Sequence, residues 1–196
     1  MPLSLDPRTC ALVLIDLQQG ILSMPLAPNS ADTLIERAVT LGRALRAAGG
    51  IVVGVHVDFD SSGADRLQQP VDAPMPRPPG GLPADWADFA PAVRDLAPEV
   101  TITKHQWGAF HDTGLDLQLR RRGISTILLG GVATNFGVES TAREAWQHNY
   151  AVVAVEDLCS SISPEAHRFS MEVIMPRLAQ VRSTEAVLKA LGAAQG

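Results

Sequence analysis

Short runs of uninterrupted apolar residues recur along this chain, and they constrain the fold more than any other feature. Cys10–Ile15, Ile51–Val57, Thr126–Leu129 and Ala151–Val155 are apolar at successive rather than alternate positions. That pattern belongs to strands covered on both faces, as in parallel sheets. Val100–Thr103 and Ala179–Arg182 supply a fifth and a sixth. Helical patterns fall between them. Ala31–Ala48 carries Leu34, Ala38, Leu41 and Leu45 at helical spacing and stops at Gly49-Gly50. Leu115–Arg122, Glu139–His148, Ser163–Met175 and Ser183–Leu191 complete the set. Strand–helix alternation predicts an α/β fold: a doubly wound, mainly parallel sheet of about six strands with helices on both faces.

Length and charge narrow the field. A chain of 196 residues is read as one domain, 1–196, with room for a well-buried core. The formal charge of −5 gives no electrostatic reason to expect nucleic acid as a partner. The first apolar run is far too short to span a bilayer, and no charged-then-apolar leader precedes it, so a cytoplasmic protein without membrane attachment is expected. Two cysteines, Cys10 and Cys159, are too few for a disulfide framework and suit a reducing compartment. The stretch Pro70–Pro83 holds six prolines and Gly80-Gly81, which makes it a meandering loop. It reads equally as a lid or partner surface and as a plain surface excursion.

In open parallel sheets, ligands bind beyond the carboxyl ends of the strands. Asp16 follows Leu12-Val13-Leu14-Ile15 directly, so its carboxylate is poorly hydrated and its pKa should rise unless a cation answers it. Lys104 ends Val100-Thr101-Ile102-Thr103 at the same edge, and could pair with Asp16 or hold a substrate carboxylate. The stretch Gly130-Gly131-Val132-Ala133-Thr134-Asn135-Phe136-Gly137-Val138-Glu139-Ser140-Thr141-Ala142-Arg143 reads as a strand end turning sharply into a helix. Such corners display nucleophiles or anion-binding backbone. Here the tip of the corner, Gly137, has no side chain. Trp107 and Phe110 could wall a pocket for a planar ligand or pack in the core. His56, Asp58 and Asp60 share a face after the second strand, but no second histidine lies near, so a structural reading is preferred over a metal site. Cys10 is about 20 Å from Asp16 along its strand, and Cys159 is expected in a loop with nothing to lower its pKa. Both read as packing thiols.

Taken together, Ala11–Gln19, Lys104–Gly131 and Gly131–Trp146 resemble the isochorismatase-like hydrolase superfamily, which includes nicotinamidases. The resemblance is closest to small bacterial members with glycine at the corner, and implies a Rossmann-like three-layer sandwich. In the cysteine-hydrolase branch an aspartate, a lysine and a cysteine form the catalytic triad. Asp16 and Lys104 match the first two, and the cysteine position falls on Gly137. The resemblance also implies a cis peptide at Val132–Ala133 and an oxyanion hole from the amides of Ala133 and Gly137. Ala133 and Gly137, with Trp107 and Gln18, are the candidate substrate-binding residues. The histidines of the nicotinamidase metal site are absent, and only Asp58 matches it, so no metal and no other cofactor is expected.

The isochorismatase branch also replaces the cysteine with glycine. Its reaction hydrolyses a vinyl ether without a covalent intermediate. The resemblance thus implies a metal-free hydrolase of a small carboxylated substrate, with Asp16 as general acid and Lys104 holding a substrate carboxylate or tuning the acid. Arg66, Gln68, Gln69 and Arg77 are the polar residues available in the loop after the second strand. A nearby lysine lowers the pKa of Asp16 whereas a general acid needs it raised, and either influence could dominate. The alternative reading is a non-catalytic ligand-binding member that lost its nucleophile. The resemblance further implies a homo-oligomer.

Overall fold

The computed structural model describes residues 3–74 and 80–193. Six strands form one sheet, all pairs parallel, in the order β3-β2-β1-β4-β5-β6. They are β1 (Cys10–Ile15), β2 (Ile51–Val57), β3 (Val100–Lys104), β4 (Thr126–Val132), β5 (Ala151–Ser160) and β6 (Gln180–Arg182). The order reverses between β1 and β4, which is the switch point at which such sheets open a crevice.

The uninterrupted apolar runs are explained by cover on both faces. Alternate residues of β1 divide between two cores. Leu12 and Leu14 meet Leu34, Ala38, Leu41 and Leu45 of α2 (Ala31–Ala47) and Val187 of α7 (Thr184–Ala193). Val13 and Ile15 meet Leu115 and Leu119 of α4 (Leu115–Arg121) and Ala142 and Ala145 of α5 (Glu139–Gln147). Ser30 starts α2 by accepting a hydrogen bond from the Thr33 amide.

The structure differs from the sequence reading in four places. β4 runs past the expected end at Leu129 through Gly130-Gly131 to Val132, and Gly131 is a close-approach position. Its φ is +129°, and a Cβ there would stand 2.0 Å from the Ile15 carbonyl oxygen. β5 extends to Ser160, so Cys159 lies within a strand and not in a loop. The stretch read as one helix from Ser163 is instead α6 (Pro164–Phe169), a π-helical turn (Ser170–Ile174) and a 3₁₀ turn (Met175–Arg177). Pro176 has no N–H for the Glu172 carbonyl and its ring crowds that oxygen, so a regular α-helix cannot run through. Two short helices, α1 (Gln19–Leu22) and α3 (Pro91–Asp95), have no sequence signal of adequate length. Of Pro70–Pro83, residues 75–79, Arg77 included, lie outside the described residues. No helix among the described residues is long and apolar enough to cross a membrane.

Candidate active site

Three strand ends converge at the switch point. Asp16 leaves β1 in the left-handed region, φ +52°, with its amide donating to the Val55 carbonyl at 2.9 Å. Aspartate tolerates this conformation better than most residues. Lys104, the last residue of β3, sends its ammonium past the intervening strand β2 to donate to Asp16 Oδ2 at 2.8 Å. The same Nζ donates to the Trp107 carbonyl at 2.8 Å. Lys104 is 1% exposed and Asp16 6%. The second carboxylate oxygen, Asp16 Oδ1, is buried and has no hydrogen-bond partner among the described residues. A buried polar atom left in that condition is costly and uncommon.

Burial pushes the Asp16 carboxyl up to about 6, against the charge and hydrogen bond of Lys104 and the smaller influence of His56, which lower it. Desolvation therefore outweighs the neighbouring ammonium, which answers the question the sequence left open. Because Oδ2 receives the Lys104 ammonium, the proton of the acid form belongs on Oδ1.

The third strand end is the β4–α5 corner. The Val132–Ala133 peptide is cis, and a π-helical turn (Thr134–Val138) leads into α5. A Cβ built on Gly137 would lie 3.3 Å from Asp16 Oδ2, 3.3 Å from Lys104 Nζ and 3.0 Å from Ile15 Cγ2. Carboxyl, ammonium and bare backbone thus meet at one place. A hydroxyl ties the corner to the lysine loop: Thr141 Oγ1 donates to the Gly137 carbonyl at 2.7 Å and accepts from the Ala109 amide at 3.2 Å. Glu144 adds to this tie by accepting from the Phe110 amide at 3.0 Å. The Trp107 ring, 52% exposed, packs on Phe136 of the corner with centroids 4.8 Å apart. Phe110 lies in the core against Tyr150.

Of the residues nominated from the sequence, Asp16, Lys104 and Gly137 meet directly, Ala133 begins the corner, and Trp107 borders it through Phe136. Gln18 does not join them. Its amide nitrogen donates to the carbonyls of Val57 and Trp86, and its oxygen accepts from the Val57 amide. Those bonds use both of its amide hydrogens and make it a clamp between the turn after β1, the end of β2 and Trp86. Lys104 has no exposed ammonium with which to hold a substrate carboxylate. His56 is engaged by the Ala87 carbonyl and Thr103 Oγ1. Among the described residues, no group of three or more His, Cys, Asp or Glu side chains is placed to hold a metal ion. Sequence reasoning misses Thr134, Thr141 and His167 at the corner, whose partners lie elsewhere in the chain.

Comparison with known proteins places the chain in a family. The isochorismatase domain model matches residues 10–186. The chain belongs to the isochorismatase family. An uncharacterised isochorismatase family protein of Escherichia coli O157:H7, YecD, is 48% identical over 96% of this chain and 100% of its own. Another, YwoC of Bacillus subtilis, is 43% identical over 95% of this chain and 96% of its own. An isochorismatase family protein of Burkholderia thailandensis superposes with a TM-score of 0.91 at 46% identity, covering 98% of this chain and 100% of that one.

Proposed function

We propose that this member of the family hydrolyses the vinyl ether of a small carboxylated substrate, with Asp16 as general acid. The observation that carries the reading is the Asp16 carboxyl itself, with one oxygen held by Lys104, the other buried and unpartnered, and a pKa raised to about 6. Such a group is protonated in part near neutrality and has one oxygen from which to deliver the proton. Asp16 Oδ1 gives its proton to the terminal carbon of the enol ether, and the adjoining carbon becomes an oxocarbenium ion. Water adds to that carbon and returns a proton to the Asp16 carboxylate. The resulting hemiketal collapses to a 2-oxo acid and an alcohol. Lys104 acts on Asp16 alone: it fixes the rotamer, and its charge stops the pKa from rising further.

No step in this sequence calls for a thiolate, which makes sense of Gly137 in the position where the cysteine hydrolases carry their nucleophile. The substrate carboxylate needs a cation other than Lys104. Arg66 is suited to be that cation. Its guanidinium lies 4.5 Å over the Phe59 ring, and Phe59 is 6.4 Å from the ring of His105, the residue after Lys104. Its Nε is buried without a hydrogen-bond partner among the described residues. The exposed face of Trp107 offers a wall for a planar ring.

The test is turnover of a panel of enolpyruvyl ethers and carboxylated amides by wild type and Asp16→Asn. The proposal expects ether hydrolysis by wild type and its loss in the variant, with ligand binding retained. Binding by wild type without turnover of any ether would overturn it in favour of a non-catalytic pocket.

A further inference from the structure

The β4–α5 corner forms one wall of the site, yet between Val132 and Glu139 it has no strand partner to hold it. Its backbone is supported mainly from within, the Ala133 carbonyl accepting from the amides of both Phe136 and Val138. On the side away from the lysine loop, to which Thr141 ties it, the corner is held by a pair of side-chain bonds to the segment after β5. Thr134, fully buried, shares a 2.8 Å hydrogen bond with His167 Nδ1, and His167 of α6 is itself only 5% exposed. Next along the corner, Asn135 Oδ1 accepts from Ser161 Oγ at 2.6 Å. The latching segment is anchored in turn, since Ser161 and Ala27 exchange two backbone bonds of 2.7 and 2.9 Å. Packing alone would be served as well by a valine facing an apolar ring, without the cost of burying two polar groups. A buried hydrogen bond adds direction, which apolar contact lacks.

We propose that His167 is a positioning residue that, through Thr134, holds the Gly137 corner against Asp16 and Lys104. The inference rests on the corner being a wall of the proposed active site, and it assigns to α6 a part in the chemistry although His167 touches none of the reacting atoms. Burial depresses the His167 pKa, so its imidazole stays neutral and can serve as a fixed partner to the Thr134 hydroxyl. When the latch is released, position 137 should drift from the ammonium now 3.3 Å from its Cβ site.

A thiol placed at that site reads the distance without any need for a substrate. In a Gly137→Cys background, the rate of modification by iodoacetamide reports thiolate stabilised by Lys104. His167→Phe and Thr134→Val should each slow that reaction at pH 7 about tenfold or more and raise the apparent thiol pKa by about one unit. His167→Asn, whose amide can reach Thr134, should restore most of the rate. The double variant should be no slower than either single one, since both break the same bond. Modification rates and thiol pKa unchanged within about twofold would overturn the proposal. Should the cysteine background not fold, hydrogen exchange of the amides at 133–138 takes its place. His167→Phe then accelerates exchange there about tenfold while β1 and β4 stay protected, and unchanged corner exchange would overturn the proposal. Neither readout depends on vinyl-ether hydrolysis, so a failure of the proposed reaction and a failure of the latch are told apart.

Discussion

Asp16 follows by one residue the level of the sheet at which Cys159 lies, two strands away. Ile15 is in register with Gly131 of β4, and Gly131 with Cys159 of β5. Both side chains are buried, and in both the first cause of the pKa shift is desolvation. The consequences are opposite. Burial moves the Asp16 carboxyl from 3.8 to about 6, into the range where acid and base forms coexist near neutrality. It moves the Cys159 thiol from 9.0 to about 12, where thiolate is scarce at any ordinary pH. Cys10 is pushed up to about 11 in the same way. Desolvation therefore makes a proton donor out of a carboxyl and an inert group out of a thiol. The second difference is the partner. Asp16 has Lys104, whereas no cation among the described residues answers Cys159, and the nearby charges of Asp157 and Glu156 raise its pKa further.

The comparison can be broken most forcefully at Asp16. Asp16→Asn should lower vinyl-ether hydrolysis by about 10²–10⁴-fold, the usual worth of a general acid, in steady-state assays. Cys159→Ala should leave the rate within about twofold, and a large loss there would end the contrast. A thiol introduced at the other end of the comparison sharpens it. Gly137→Cys should react with iodoacetamide at neutral pH at least about 100-fold faster than Cys159, because its sulfur would sit beside Lys104 rather than in an apolar strand. Mass mapping of the alkylated cysteines measures this directly, and equal labelling would contradict it.

Smaller effects follow from linkage. The folded-state pKa of Asp16 lies above its unfolded value, so the folded protein binds the extra proton between about pH 4 and 6. This contribution to stability is fully present below the unfolded pKa and is lost as pH rises through about 6. A shift of about two units corresponds to about 3 kcal/mol. Asp16→Asn should therefore gain stability relative to wild type, by up to that amount, as pH is raised from 4 to 7. Urea denaturation at the two pH values checks it, and a relative stability that falls with pH would refute it. Replacing Lys104 by methionine removes an influence that lowers the Asp16 pKa, so whatever activity remains should lose its acid form at a higher pH than wild type does.

The extent to which this is legible in the sequence follows from the range of the interactions involved. Asp16 stands out because a charge that ends six apolar residues has few places to go, and Lys104 because it closes a strand at the same edge. Their pairing spans 88 positions, yet the parallel order of the strands brings the two ends together. Gln18 shows where such reasoning stops. Its amide belongs to Val57 and Trp86, 39 and 68 residues away, and no local pattern betrays a side chain spent on remote backbone. The latch from His167 to Thr134 is hidden for the same reason. The π-helical turn at Thr134–Val138 is hidden differently: residue periodicity barely distinguishes it from the first turn of the α-helix that follows. Cys159 reads as a loop residue because Glu156-Asp157 looks like the end of a strand, whereas Asp157 is engaged by the Thr184 amide and hydroxyl and the strand continues beyond it.

Direct titration of the Asp16 carboxyl tests the central claim without reference to any substrate. With aspartate carboxyl carbons labelled, the NMR resonance that disappears in Asp16→Asn should titrate with a midpoint near pH 6 in the wild-type protein. A midpoint at or below 4 would mean that Lys104 prevails over burial, that the carboxyl is fully ionised at neutrality, and that it is no general acid.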